Sequence, residues 1–362
     1  MKINAAMIVR NEADRIKRCL LAAGPFFDRI IVVDTGSVDD TCDIVSSFEN
    51  TSLYHFDWVD DFSAARNFSL QRSEDWGADY SLVLDADEYL RKPEEDIRLF
   101  IEQAEKKYAG RWAGYLTRYD SFRNEEGNID ISRTRITRLL PRGVRYSGII
   151  HEQPVFDGIK IYTPFEADHD GYLDTDKGRR DLPYLLKAIR EDPSDPYLYY
   201  QAGAAYKSEK DKEQAVRYLG SFYQMIAGIP SAFDIDYVRD GVIRYLYALM
   251  DLNTEESMTR ALSVTEAVKG YYKDNSDYWF FCGVFYMKLA LFDTRRYMSY
   301  VPMIEGCYKR CIEIGEDKRT MTVRGTGSFK AYHNLGLYYQ LTGDEKRARE
   351  CFKKEKETGI DF

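Results

Sequence analysis

Long apolar runs are missing from this sequence. No stretch approaches the roughly 20 residues that a bilayer span requires, and Met1-Lys2 leads straight into a short strand pattern without a secretory signal, so a cytoplasmic location and no membrane span are expected. Histidine is scarce, with four in 362 residues. The six cysteines (Cys19, Cys42, Cys282, Cys307, Cys311, Cys351) form no C-x-x-C pair and no Cys/His zinc spacing, which argues against a zinc module and leaves them as core residues. Cys307 and Cys311 share a helix face, but without histidines beside them they read as packing. Positive charge is also short: 51 Lys and Arg stand against 60 Asp and Glu, a formal charge of -9. Nucleic-acid surfaces are built from clustered Lys and Arg, so nucleic acid is an unsuitable partner and any anionic ligand needs a local basic site. What remains, 44% hydrophobic and 31% charged residues, is a globular composition long enough for two domains.

The first half alternates strand and helix signals. Ile3 to Val9 is an apolar run; Ile16, Cys19, Leu20 and Ala23 then share one helix face that Gly24-Pro25 ends. Further strands are expected at Ile30–Val33, Leu53–Phe56 and Tyr80–Leu84, with a helix over Ala64–Arg72. Such alternation predicts an α/β fold with a mixed, mostly parallel sheet flanked by helices, whose ligands bind beyond the carboxyl ends of the strands. From Gly114 to about Gly171 the pattern changes to short β segments with a turn at 124–128. Beyond Asp176 it becomes helical and tyrosine-rich. There Tyr332-x-x-Leu335-Gly336-x-x-Tyr339 with Ala348 and Phe352, and Tyr199-x-x-Ala202-Gly203-x-x-Tyr206 with Ala215 and Leu219, follow the tetratricopeptide scheme. Trp279-x-x-Cys282-Gly283-x-x-Tyr286 begins a third copy that Phe292 to Pro302 interrupts. The expected division is residues 1–175 as the catalytic domain and 176–362 as an all-α helical repeat domain, whose faces suit a polypeptide or a second copy in a homodimer.

Chemistry concentrates at the predicted strand ends. Asp85-Ala86-Asp87-Glu88 closes an apolar strand, and in an extended chain residues i and i+2 point the same way. Two such carboxylates suit a divalent cation; Mg²⁺ completes its shell with water and substrate phosphates, so the ligand is expected to be a nucleotide or sugar phosphate. Asp34 ends the second strand, in Asp34-Thr35-Gly36-Ser37-Val38-Asp39-Asp40-Thr41, where its carboxylate is placed to accept hydrogen bonds from a base or ribose. Val9-Arg10-Asn11-Glu12 ends the first strand. In Asp60-Asp61-Phe62-Ser63-Ala64-Ala65-Arg66-Asn67, Ser63 is a possible cap, and Arg66 in the first turn either answers an anion such as a diphosphate or pairs with Asp60 or Asp61. His151-Glu152 and His169 lie in acidic turns. Transfer of a sugar with inversion needs a base for the acceptor's proton; Glu152 is the better candidate beside His151, and His169 the better additional metal ligand.

Taken in order, Asn11-Glu12, D-T-G-S-V-D-D-T at 34–41, D-F-S-A-A-R-N at 61–67, D-A-D-E at 85–88 and H-E-Q-P at 151–154 resemble family 2 glycosyltransferases. With H-D-G-Y at 169–172 and the repeat tail, the chain looks more narrowly like the peptide S-glycosyltransferases that modify glycocin bacteriocins of the sublancin type. The resemblance implies a GT-A fold, a UDP-sugar donor with Mg²⁺ or Mn²⁺, and an acceptor Cys or Ser on a polypeptide. It further implies Val9, Arg10, Asn11, Glu12, Asp34, Arg66, Asp85 and Ala86 around the donor nucleotide, Asp87 and His169 on the metal, and Glu152 with His151 at the acceptor. Related domain pairs also act on lipid or polysaccharide acceptors, and a third possibility is a repeat scaffold with a degenerate transferase domain.

Overall fold

The computed structural model describes residues 1–123, 127–173, 177–316 and 322–359. It divides into two compact units: residues 1–175 with 183–191, and residues 176–182 with 192–362.

The first unit runs β1 (Ile3–Val9), α1 (Ala13–Ala23), β2 (Arg29–Asp34), α2 (Thr41–Ser46), β3 (Thr51–His55), α3 (Phe62–Asp75), β4 (Tyr80–Val83), β5 (Glu88–Leu90), α4 (Ile97–Tyr108), β6 (Trp112–Arg123), β7 (Ile129–Pro141), β8 (Arg145–Ser147), β9 (Gln153–Val155) and β10 (Ile159–Tyr172), with the end of α5 (Lys177–Glu191). Eight strands join in the order β3-β2-β1-β4-β7-β6-β10-β5. Pairings among β1, β2, β3 and β4 are parallel, as is β6 with β10; β7 runs antiparallel to β4 and β6, and β5 to β10. β6, β7 and β10 are longer than the short segments expected there, β8 and β9 are three residues each, and the turn expected at 124–128 falls mostly outside the described residues.

Side-chain alternation along β1 explains the two cores. Ala5 and Met7 face a cluster with Ile16, Cys19 and Leu20 of α1 and Ile97 and Ile101 of α4, whereas Ala6 joins Leu70 of α3, Leu140 and Tyr146 on the opposite face. Helices thus cover both faces of a sheet whose strands β1, β2 and β4 are buried along almost their whole length. Parallel pairing brings the carboxyl ends of β1, β2 and β4 to one edge, and the motif loops with them.

The second unit is helical: α6 (Pro196–Ser208), α7 (Lys212–Ile226), α8 (Asp236–Leu252), α9 (Glu255–Val268), α10 (Ser276–Phe292), α11 (Thr294–Tyr297), α12 (Val301–Ile314), α13 (Phe329–Leu341) and α14 (Glu345–Gly359). Pro196 follows the capping Asp195, and Thr254 with Ser257 closes a capping box, so sequence signals set these starts. One core runs through the unit, from Tyr200 to Cys351. Phe292 to Pro302 does not break the third copy of the repeat: α11 is inserted, and α12 supplies the second helix, its Tyr308 lying over Gly283.

Candidate active site

Asp34 and Asn11 build the first part of the site. Asp34, buried at the end of β2, accepts hydrogen bonds from the backbone N–H groups of Gly36 (3.0 Å) and Ser37 (3.1 Å). Burial pushes its carboxyl up, but bonds from the Ser37 side chain and these N–H groups outweigh that and hold it below the usual carboxylate range. Val9 offers its carbonyl to the N–H of Thr35 at 3.0 Å. The Asn11 side chain accepts from the N–H of Val38 at 2.8 Å, and its own N–H donates to Ser37 Oγ at 2.9 Å. Glu12 donates its N–H to Thr41 Oγ1 at 2.7 Å, and its carbonyl starts α1. Two motifs separated in sequence therefore form one braced loop pair, with Arg10 exposed between them. Asp39 accepts hydrogen bonds from the N–H and hydroxyl of Thr41, at the start of α2, and from the N–H of Ala13, whereas Asp40 makes no side-chain cap bond.

Asp85-Ala86-Asp87 is a turn and not an extended segment, since the N–H of Glu88 bonds back to the carbonyl of Asp85 at 3.0 Å. The expectation that both carboxylates point one way fails for that reason. Asp85 is gripped by Arg66 and by Arg138 Nη2 at 2.8 Å, while buried Asp87 stands with its Oδ2 3.4 Å from Nε2 of His169. Burial would raise the Asp85 carboxyl; the two guanidinium groups bring it well below its usual range. Ala86 is buried between them.

Arg66 sits inside α3, whose cap is Asp61 and not Ser63: Asp61 accepts from the N–H of Ala64 at 3.1 Å. Its partners are neither Asp60 nor Asp61. The buried guanidinium bridges Asp85 and Glu152, with Nε 2.9 Å from Glu152 Oε1, and it reaches the carbonyl of Leu84. Arg66 is thus engaged with protein carboxylates. Glu152 is held in the loop between β8 and β9, next to His151, whose φ of 50° is uncommon for a residue with a Cβ. Asn11 (55°) and Asp60 (57°) share this left-handed backbone, so three motif loops carry it. Such outliers gather at functional sites, where the surrounding structure holds them.

His169 lies in β10, not in a polar loop, directly across from Glu88 of β5 and Asp120 of β6. Its Nδ1 is 2.7 Å from Asp120 Oδ1, and its ring meets Tyr172 edge-on at 4.6 Å. Burial pushes the imidazole down, yet the bonds to Asp120 and Asp87 raise it above its usual value. Sequence reasoning missed Glu88, Arg118, Asp120 and Arg138. Glu88 is 0% exposed, accepts from Arg118 at 3.0 Å and from the N–H of Asp85 at 3.0 Å. The available signal was charge inside strand segments, which requires a partner where the strand is buried. Among the described residues, Asp34, Cys42 and His55 also bring three potential ligand atoms within 4.8 Å of one another.

Residues 5–160 match the family described as Glycosyl transferase family 2, and residues 196–222 and 329–354 match the tetratricopeptide repeat. The SPbeta prophage-derived glycosyltransferase SunS of Bacillus subtilis (strain 168) is 25% identical over 290 residues, 73% of this chain and 62% of SunS. A TPR repeat-containing protein of Synechococcus elongatus is 45% identical over 238 residues, 60% of this chain and 55% of that protein. The solved structure of MamA from Desulfovibrio magneticus RS-1 aligns with 51% of this chain and 88% of its own, at 20% identity and a TM-score of 0.39. The match to SunS spans about three fifths of that relative's length. The chain is thus similar to family 2 glycosyltransferases over residues 5–160, to tetratricopeptide repeats in two later segments, and to SunS over 73% of its length.

Proposed function

We propose that this chain is an inverting glycosyltransferase that moves a hexose from a UDP-sugar to a Cys or Ser side chain of a polypeptide, with the helical repeats holding that polypeptide or a second copy. The observation that carries this reading is the grouping of Asp34, the Asp85-Ala86-Asp87 turn, the Arg66–Glu152 pair and His169 in loops and strands at one edge of the sheet. Asp34 is kept ionised and braced by backbone N–H groups, which suits a fixed acceptor for the N–H of a uracil or a ribose hydroxyl. Asp85 is oriented by two guanidinium groups beside the ribose, and Val9, Arg10, Asn11, Glu12 and Ala86 line the same nucleotide.

Mg²⁺ or Mn²⁺ fits Asp87 and His169. Two ligand atoms each about 2.1 Å from one octahedral cation stand about 3 Å apart, close to the 3.4 Å between Asp87 Oδ2 and His169 Nε2. When bound, the cation supplies charge neutralisation for the leaving diphosphate. Glu152 removes the acceptor's proton as the acceptor atom bonds to the anomeric carbon and the bond to the diphosphate breaks on the opposite face. Arg66 fixes the plane of that carboxylate through Oε1, and His151 flanks it.

Release of nucleotide from UDP-, GDP- and dTDP-sugars, with Mg²⁺, Mn²⁺ or EDTA, tests the reading. UDP release that EDTA stops and Asp87→Ala abolishes supports it. Full release with EDTA present would remove the metal role. Mass spectrometry of Cys- and Ser-containing peptides then reports the acceptor, and a sugar recovered only on lipid or polysaccharide would overturn the polypeptide assignment.

A further inference from the structure

Asp120 belongs to none of the motifs, yet it is built into the site. It lies in β6, in register with His169 in parallel β10, and both are 2% exposed. Its Oδ1 is 2.7 Å from His169 Nδ1 and 2.6 Å from Arg118 Nε, and its Oδ2 accepts from Thr134 Oγ1 at 2.8 Å. Arg118 is in turn held by Glu88 at 3.0 Å and donates to the Tyr172 hydroxyl at 3.2 Å. The carboxylate is therefore held through both of its oxygens, Oδ1 by His169 and Arg118 and Oδ2 by Thr134.

We propose that Asp120 is a positioning residue for the cation site. Accepting the N–H of Nδ1, it fixes the His169 tautomer so that Nε2 presents its lone pair toward Asp87. The inference rests on the reading that Asp87 and His169 hold the divalent cation. Its physical basis is general: an imidazole ligates a metal through one nitrogen only when the proton sits on the other, and a buried carboxylate on that other nitrogen sets both tautomer and ring orientation. A purely structural buried pair would stabilise the sheet without controlling metal affinity. The arrangement also accounts for Arg118 and Thr134, which restrain Asp120 against rotation.

Binding of Mn²⁺ to the full chain, followed by the EPR signal of free Mn²⁺ without any sugar donor, separates these roles. Asp120→Asn is expected to weaken Mn²⁺ about 10- to 100-fold, the usual range for removing such a partner, while metal-free UDP affinity stays unchanged. Unchanged Mn²⁺ affinity in a folded Asp120→Asn, when His169→Ala weakens it, would overturn the positioning role alone. Unchanged affinity in His169→Ala would overturn the cation-site reading and this inference with it. Histidine ring ¹⁵N spectra of the unsubstituted protein with Mg²⁺ give a test that needs no variant to fold: protonated Nδ1 is expected for His169, and protonated Nε2 would refute the proposal.

Discussion

Arg66 shows how little of the site depends on single contacts to solvent. Its guanidinium neutralises Asp85 and Glu152 together, with Arg138 sharing only Asp85. Arg66→Ala leaves Glu152 without this cation in a nearly buried position, so a loss of about 3 kcal/mol of folding stability is expected in urea unfolding, at the low end for a broken buried pair because Arg138 remains. Arg66→Lys keeps the charge but not the fork that spans two carboxylates; it should fold better than the alanine variant while donor turnover stays low. A second residue, in the helical unit, carries a pH effect. Asp277 at the start of α10 accepts from the N–H of Val323 at 2.9 Å and from Thr326, yet burial pushes its carboxyl up to about 7 against these bonds. The folded state then holds a proton that the unfolded chain has released, so this residue's contribution falls as pH rises from about 4 to about 7 and is flat above. Asp277→Asn should remove that slope, and denaturation midpoints at pH 5 and pH 8 measure it. Full burial would put the difference at roughly 4 kcal/mol; a half-buried side chain puts it below that.

Helix packing explains which glycines matter. At Gly203 in α6 a Cβ would stand 2.4 Å from Leu219 Cγ and 3.0 Å from the Leu219 backbone nitrogen, so α6 and α7 approach too closely for any side chain. Gly283 and Gly336 meet Tyr308 and Phe352 in the same way, which is why the glycine of the repeat scheme recurs. Gly203→Ala is expected to cost about 1–3 kcal/mol by overpacking. Gly306 in α12 has nothing within 4 Å, and Gly306→Ala should stabilise the helix by about 0.5–1 kcal/mol. Opposite shifts in the thermal midpoint would check both. These spacings were legible in the sequence because a helix repeats locally, and the first four strands were legible because an apolar run bounded by turn residues is a local signal. The Asp85 turn was not, since the bond from Glu88 N–H and the pull of Arg138 come from tertiary structure. His169 was assigned to a loop because Asp168 and Asp170 surround it with polar residues; the strand forms because those carboxylates alternate outward, to Arg91 and Arg18, while His169 turns in.

At the scale of the molecule, the two units have separate cores. Residues from Ile3 to Ala167 form the clusters on the sheet, and those from Tyr200 to Cys351 form the helical one, with no residue in common. Each core is large enough to unfold as its own cooperative step, so a single two-state transition is not the expected behaviour. A ligand stabilises only the state that binds it, by about 2.7 kcal/mol when present at 100 times its Kd. For a unit of this size each kcal/mol moves the midpoint by roughly 2–4 °C. UDP with Mn²⁺ at that concentration should therefore raise one calorimetric transition by roughly 5–11 °C and leave the other in place. EDTA should cancel the part of the shift that depends on Asp87 and His169. A Gly203→Ala chain identifies the transitions independently, because it lowers the one that UDP does not move; if UDP and Gly203→Ala acted on the same transition, the assignment of the donor site to the sheet unit would fail.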